Sequence, residues 1–304
     1  MDSIKLVVPA TSANLGSGFD ICGIALARPT DTMWVSKADY DKIDSVGAYD
    51  VPTSLEANTC GPVIRAMRDR FGIGGVRMAI NKGIKPGSGL GSSAATAAGT
   101  AFAIDKLYRL SLEKEELAQY ASLGEAVSAG APHADNVTPA IFGGFTIITS
   151  HGPLRVKRIK APPSLDAIII LPRSGKASTK AAREALPASV PREAHQRNMQ
   201  LLASLICSFE DGDIDGIIAS MDDAVAEPAR HAAGILPHLY EVREAGKELG
   251  YGVVASGAGP SILALGKRSP RSREALVARV KDIFRESHEI ITSGISNQGA
   301  RKVG

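Results

Sequence analysis

The sequence predicts an α+β fold. Apolar β-branched runs fall in clusters rather than in strict alternation with helices, which argues against a doubly wound parallel sheet. A glycine-rich loop joins an alternating strand to a long helix of small residues. The adjacent prolines Pro162 and Pro163 mark a boundary, giving halves at 1–162 and 163–304.

Taken in order, "IKLVV" (4–8) is a short β-branched strand ending at Pro9, and "ATSANLGSGFD" (10–20) reads as a loop. "TMWVSKA" (32–38) is a second strand. A helix follows over "NTCGPVIRAMRDRFG", capped by Asn58 and stopped by Gly72. "GVRMAINKGI" (75–84) alternates as a half-buried strand does. Residues 92–110 form a helix apolar on most sides, and a second helix runs from Ser111 to about residue 130. "APHADNVTPAIFGG" (131–144) reads as a polar loop and "FTIITSHGPLRVKRI" as a hairpin, with "RVKRIK" (155–160) a solvated face.

The second half opens on the strand "LDAIIILP" (165–172). Helices are expected over 178–186, 192–210, 213–227 and 239–250. "YGVVASGAGPSILALG" (251–266) is a strand, glycine loop and strand, before a helix at 272–285 and a last strand, "HEIITSGIS".

Composition narrows the function classes. Of 304 residues, 44% are apolar and 22% charged, and 35 basic against 32 acidic residues leave a net charge of +3. That balance points to neither a nucleic-acid nor a membrane partner. Cys22, Cys60 and Cys207 lie far apart, without metal-ligand spacing, and read as buried apolar residues of a reducing compartment. No run reaches membrane-spanning length and the first residues lack a secretory pattern, so the sequence reads as cytoplasmic.

The chemistry centres on "KPGSGLGSSAATAAG" (85–99). It is neither of two familiar phosphate loops. Gly91 is followed by Ser92 rather than the lysine of a P-loop, and the GxGxxG frame from Gly87 fails at Ser92. Glycines at alternate positions nevertheless let backbone N–H groups approach a ligand, and the helix N-terminus beyond them favours an anion. Ser92 and Ser93 add hydroxyls above the small floor of Ala94 and Ala95. Alone, the segment is equally compatible with a capping turn packed on a sheet.

"PGSGLGSSAA" (86–95) resembles the nucleotide motif of the GHMP kinases (galacto-, homoserine, mevalonate and phosphomevalonate kinases). "PATSANLGSGFD" (9–20) is similar to that family's substrate-side motif and "SGAGPSILAL" (256–265), with Gly257, to its C-terminal glycine loop. The resemblance implies a ribosomal-S5-like N-terminal domain, a ferredoxin-like C-terminal domain, and ATP with Mg²⁺ in the cleft between. ATP would lie on Pro86, Gly87, Ser88, Gly89, Leu90, Gly91, Ser92, Ser93, Ala94 and Ala95. Ser93 and Glu125 would hold Mg²⁺ through oxygen ligands.

Within the family, "SANLGSGFD" with "HADNVTPAIFGG" is similar to the homoserine kinase branch, as are "STKAAREALP" (178–187) and "EPAR" (227–230). The lysine and "GEH" stretch of the mevalonate kinase branch are absent. The activity implied is phosphorylation of the homoserine hydroxyl in threonine biosynthesis. The alternatives are a shikimate- or mevalonate-type kinase, or a non-catalytic nucleotide-binding protein. An amino-acid acceptor is a zwitterion, so its site needs arginine forks for the carboxylate and acids for the ammonium. Arg183 and Arg230 suit the first and Asp20 and Asp135 the second. Asn14, His133, Asn136 and Thr179 supply neutral hydrogen bonds.

Each of these has a plainer reading, as capping group, core histidine or solvated charge. Only their placement inside matched motifs selects them. Lacking the lysine that accompanies an aspartate base in other branches, the chain is expected to pass the hydroxyl proton to the γ-phosphate. Asn14 and Asn136 would hold the hydroxyl in line, with Asp20 and Arg183 beside it. Related kinases admit a homodimer.

Overall fold

A computed structural model describes residues 2–129, 133–172, 179–285 and 288–304, with backbone alone at Ser128, Ala129, Thr179 and Lys180. The chain starts with β1 (Ser3–Asn14) and β2 (Gly18–Ala38), which pair antiparallel along their length with register shifts at Pro9/Thr11 and Ala13/Asn14. Residues 10–20 are therefore not the expected loop. Their small polar side chains still pair across the ladder (Thr11↔Ala25, Ser12↔Ile24), and only a turn through Asn14, Leu15 and Gly16, all at positive φ, interrupts it.

β3 (Lys42–Gly47), α1 (Cys60–Phe71) and β4 (Gly75–Lys82) follow, with β3 and β4 parallel. Asn58 Oδ1 accepts the Cys60 amide and Gly72 ends α1 in the left-handed region, as the sequence implies. α2 (Ser92–Tyr108) is buried on most sides because its alanines allow close packing against β1, α1 and α3 (Lys114–Ala129). α4 (Val137–Phe142) corrects the expected polar loop. Its polar lead-in hides a fully buried turn, Val-Thr-Pro-Ala-Ile-Phe.

β5 (Phe145–His151) and β6 (Leu154–Ile159) form the expected hairpin, joined to β2 at Cys22–Ile24. The basic strand is not uniformly solvated. Arg158 is half-buried and donates to the Gly143 and Asn297 carbonyls.

In the second half come β7 (Leu165–Pro172), α5 (Thr179–Glu184), α6 (Arg192–Asp211), α7 (Ile214–Ser220), α8 (Ala226–Ala232) and α9 (Leu239–Glu248). Then follow β8 (Tyr251–Ala255), β9 (Ile262–Lys267), α10 (Pro270–Ile283), β10 (His288–Gly294) and β11 (Arg301–Lys302). The helix expected over 213–227 breaks, because the Asp223 carboxylate accepts the amides of Val225, Ala226 and Glu227 and so starts α8 afresh.

The second sheet is antiparallel in the order β10-β7-β9-β8, the arrangement of a ferredoxin-like domain. The first runs β11-β1-β2-β4-β3, with β5 and β6 branching from β2. One apolar core joins the first sheet, α1–α4 and the near face of the second sheet, where Phe145 and Phe209 stack at 4.1 Å. A second lies between the outer face, α9 and α10. Cys22 and Cys60 are buried, but Cys207 is exposed, on the outer side of α6. No helix among the described residues is long and apolar enough to cross a membrane.

Candidate active site

A cleft of about 550 Å³ lies between the two sheets' loop ends and collects most of the residues singled out in the sequence. On one side is the β4–α2 loop. Gly87, Gly89 and Gly91 all have positive φ, so the alternate glycines serve a winding that side chains would strain. A Cβ on Gly89 would lie 2.5 Å from the Ser256 carbonyl and 3.0 Å from that of Gly259. The two glycine loops thus touch backbone to backbone.

Hydroxyls fasten the same seam. Ser256 Oγ donates to Gly89 O (2.9 Å), and Ser261 Oγ donates to Ser88 O. Pro86, Gly87, Gly89, Gly91, Ser92 and Ser93 line the cleft. Ser88, Leu90, Ala94 and Ala95 are buried behind them as supports.

At the mouth of α2 the Ser93 hydroxyl bonds the Glu125 carboxylate, which comes from α3. Glu125 is 7% exposed, unlike the exposed Glu113 and Glu116 at the start of the same helix region. Burial raises its pKa to about 7, against the Ser93 hydrogen bond that lowers it. A carboxylate and a hydroxyl beside a helix N-terminus are hard oxygen donors, and they fit a Mg²⁺ ion that keeps most ligands for phosphate and water.

Sequence reading missed Lys82. It lines the cleft floor yet is almost fully buried. Its ammonium is spent on Asp31, on Ser92 O (2.6 Å) and on Thr96 Oγ1 (2.9 Å). Asp31 Oδ1 in turn accepts the amides of Gly83 and Ile84, and Ser92 Oγ donates to Ile84 O. This network closes the base of the glycine loop. Burial pulls the Lys82 pKa down, with the Asp31 charge opposing.

The other side of the cleft holds the charged groups. Arg183 Nη2 donates to both Asp20 oxygens at 3.0 Å and lies 3.3 Å from His133 Nδ1. His133 Nε2 is buried without a partner among the described residues. Burial and the Arg183 charge lower the His133 pKa. Asp135 is buried next to Asn136, whose amide it accepts, and its pKa rises to about 6 through burial and the Asp20 charge.

Asn14 is committed at both ends. Its Nδ2 donates to Gly257 O (3.0 Å) and its Oδ1 accepts the Asp20 amide (3.2 Å). Thr179 begins α5, but its side chain lies outside the described residues.

Arg230 is the most unusual of the set. It is 3% exposed, stacked 5.4 Å from the Phe19 ring centroid, and donates to the carbonyls of Ala182 (3.1 Å) and Gly257 (3.0 Å). Among the described residues no carboxylate pairs with it. Burial lowers its pKa, and the charges of Asp223, Glu227 and Asp20 nearby oppose the shift. α8 can hold it there because Glu227, three residues earlier, is fixed by Arg243 and by the Ala255 amide.

Known proteins match this arrangement. The family model for the GHMP kinases N terminal domain matches residues 58–144, and that for the GHMP kinases C terminal matches 196–286. The chain is 46% identical to a homoserine kinase of Methanococcus vannielii over 94% of this chain and 93% of that one. It is 44% identical to a homoserine kinase of Methanococcus maripaludis, with the same coverage. A crystal structure of homoserine kinase from Cytophaga hutchinsonii superposes with a TM-score of 0.89 at 31% identity, covering 100% of this chain and 98% of that one.

Proposed function

The chain belongs to the GHMP kinase family, and from that premise we propose that it transfers the γ-phosphoryl group of ATP to the side-chain hydroxyl of L-homoserine, in threonine biosynthesis. The buried Arg230, hydrogen-bonded to carbonyls rather than to a carboxylate among the described residues, is the observation that supports this acceptor best. A substrate carboxylate placed there gains a buried partner, while Asp20 and Asp135 line the same cleft for an ammonium. The unpartnered His133 Nε2 adds a polar contact on the same wall. Acceptors of the shikimate or mevalonate type carry a carboxylate but no ammonium and leave the acids unanswered.

The nucleotide's phosphates fit the amides from Gly87 to Ser93, and Val51, Pro52 and Ala57 offer an apolar wall for its base. Ser93 and Glu125 would hold Mg²⁺, whose charge neutralises phosphate oxygens when bound. The protein's own part is positioning. Arg183, kept in place by Asp20, lines the cleft beside the acceptor. Asn136 stands between acceptor and phosphates. Asn14, with both amide ends occupied, holds Asp20 and Gly257 in register rather than holding the acceptor. No residue with free basic capacity is needed, since the hydroxyl proton can leave with the transferred group's oxygens.

The test is ADP release with homoserine, 4-hydroxybutyrate (ammonium removed), 2-amino-1,4-butanediol (carboxylate removed), shikimate and mevalonate side by side. Homoserine is expected to exceed every other acceptor in kcat/KM by at least about 100-fold, as a site built for two charges rejects molecules lacking one. Equal turnover of 4-hydroxybutyrate would remove the amino-acid acceptor.

A further inference from the structure

Asn136 faces the cleft, and its orientation is set from behind by a residue that does not line the cleft. Thr11 is fully buried on β1, and its hydroxyl donates to Asn136 Oδ1 at 2.9 Å. Its own amide donates to Leu90 O at 3.1 Å, so Thr11 also touches the glycine loop. A Cβ on Gly91 would lie 1.9 Å from the Thr11 Oγ1 and 3.0 Å from Asn136 Oδ1. The glycine there leaves room for the hydroxyl–amide pair.

We propose that Thr11 is a positioning residue that fixes the Asn136 side chain with its Nδ2 toward the reacting groups. This deepens the reading above and rests on it.

A hydroxyl has one proton, and that of Thr11 is used on Oδ1. Among the described residues the hydroxyl makes no other hydrogen bond. Turning the amide over would therefore strand a buried hydroxyl proton, which disfavours the flipped form. The consequence is directional. With Oδ1 turned back to Thr11, Nδ2 is the end of the amide left for the reacting groups. No described group takes up that Nδ2, so it is free to donate. A donor at this point stabilises the electron-rich oxygens of acceptor and phosphoryl group as charge shifts between them, whereas a flipped carbonyl would repel them.

The inference is tested with Thr11→Val, Thr11→Ser and Asn136→Asp in the full chain, measuring kcat and both KM values. Thr11→Val keeps the shape and is expected to lower kcat about 10-fold, with both KM values within about twofold. Thr11→Ser is expected to stay within about threefold of wild type. In an Asn136→Ala background Thr11→Val should cost nothing further. Wild-type kcat in Thr11→Val, an equal loss in Thr11→Ser, or additivity with Asn136→Ala overturns the proposal.

If Thr11→Val does not fold, Asn136→Asp decides. It puts an oxygen where the N–H₂ stood, and must be slower than Asn136→Ala. Equal or faster turnover contradicts the donor role. A wild type inactive on homoserine contradicts the parent reading, and the same ratios are then read with the acceptor it does use.

Discussion

Glu125→Gln is expected to lower kcat by roughly 10²–10³ while making the metal-free protein more stable at pH 8. The loss follows from removing the carboxylate beside Ser93 that would hold Mg²⁺, an ion whose charge stabilisation is worth several kcal/mol at about 1.4 kcal/mol per factor of ten. The gain follows from linkage. Burial lifts the Glu125 pKa from 4.5 to about 7, so the folded state holds a proton that the unfolded chain releases.

A carboxyl shifted upward favours the fold fully below pH 4.5, progressively less as pH rises to about 7, and constantly less above that. At pH 8 the wild type bears an ionisation penalty on the order of 3 kcal/mol, which glutamine does not. In EDTA, thermal unfolding should therefore show Glu125→Gln several degrees above wild type at pH 8, with the gap narrowing toward pH 5. A gap that is absent or widens on acidification contradicts the burial-driven shift.

Arg230→Met is expected to reduce kcat/KM for homoserine by about 10²–10³, chiefly through KM. Its guanidinium bonds carbonyls but no carboxylate directly among the described residues, which leaves it able to take the acceptor's carboxylate. Methionine of similar length replaces a buried charge with apolar volume, so the fold should tolerate it within about 2 kcal/mol even though the Ala182 and Gly257 carbonyls lose a donor. The selectivity change is the sharper sign. Wild type should strongly prefer homoserine to 2-amino-1,4-butanediol, and Arg230→Met should lose that preference. Retained discrimination would place the carboxylate elsewhere, with Arg183 the next candidate.

Much of this was legible in the residues because the site is built on short, glycine-punctuated segments. The glycine loop, α2 and the β8–β9 turn announce themselves through backbone needs that few sequences share. Lys82 was legible in a way that was not used. In the alternating strand 75–82, Val76, Met78 and Ile80 face inward, and Lys82 falls on the same register, where a lysine must find partners.

Other features depended on contacts distant in sequence. The break after α7 follows from Asp223 capping a new helix, and α4 follows from an apolar turn being enclosed by β5 and the 296–300 segment. β3 and the two-residue β11 have too little apolar pattern to be seen without their sheet partners. Neither Arg230 nor Glu125 differs locally from a surface charge. Their burial, which gives them their chemistry, is a property of the assembled fold.

The central claim is that the cleft joins ATP to the hydroxyl of an amino acid carrying both charges. Phosphorus-31 NMR of the protein with ATP, Mg²⁺ and homoserine tests it most directly. The γ-phosphate resonance should be replaced by a phosphomonoester signal that matches O-phospho-L-homoserine, and the replacement should not occur with 4-hydroxybutyrate. Release of inorganic phosphate alone, or persistence of the ATP spectrum through many expected turnovers, would contradict the account.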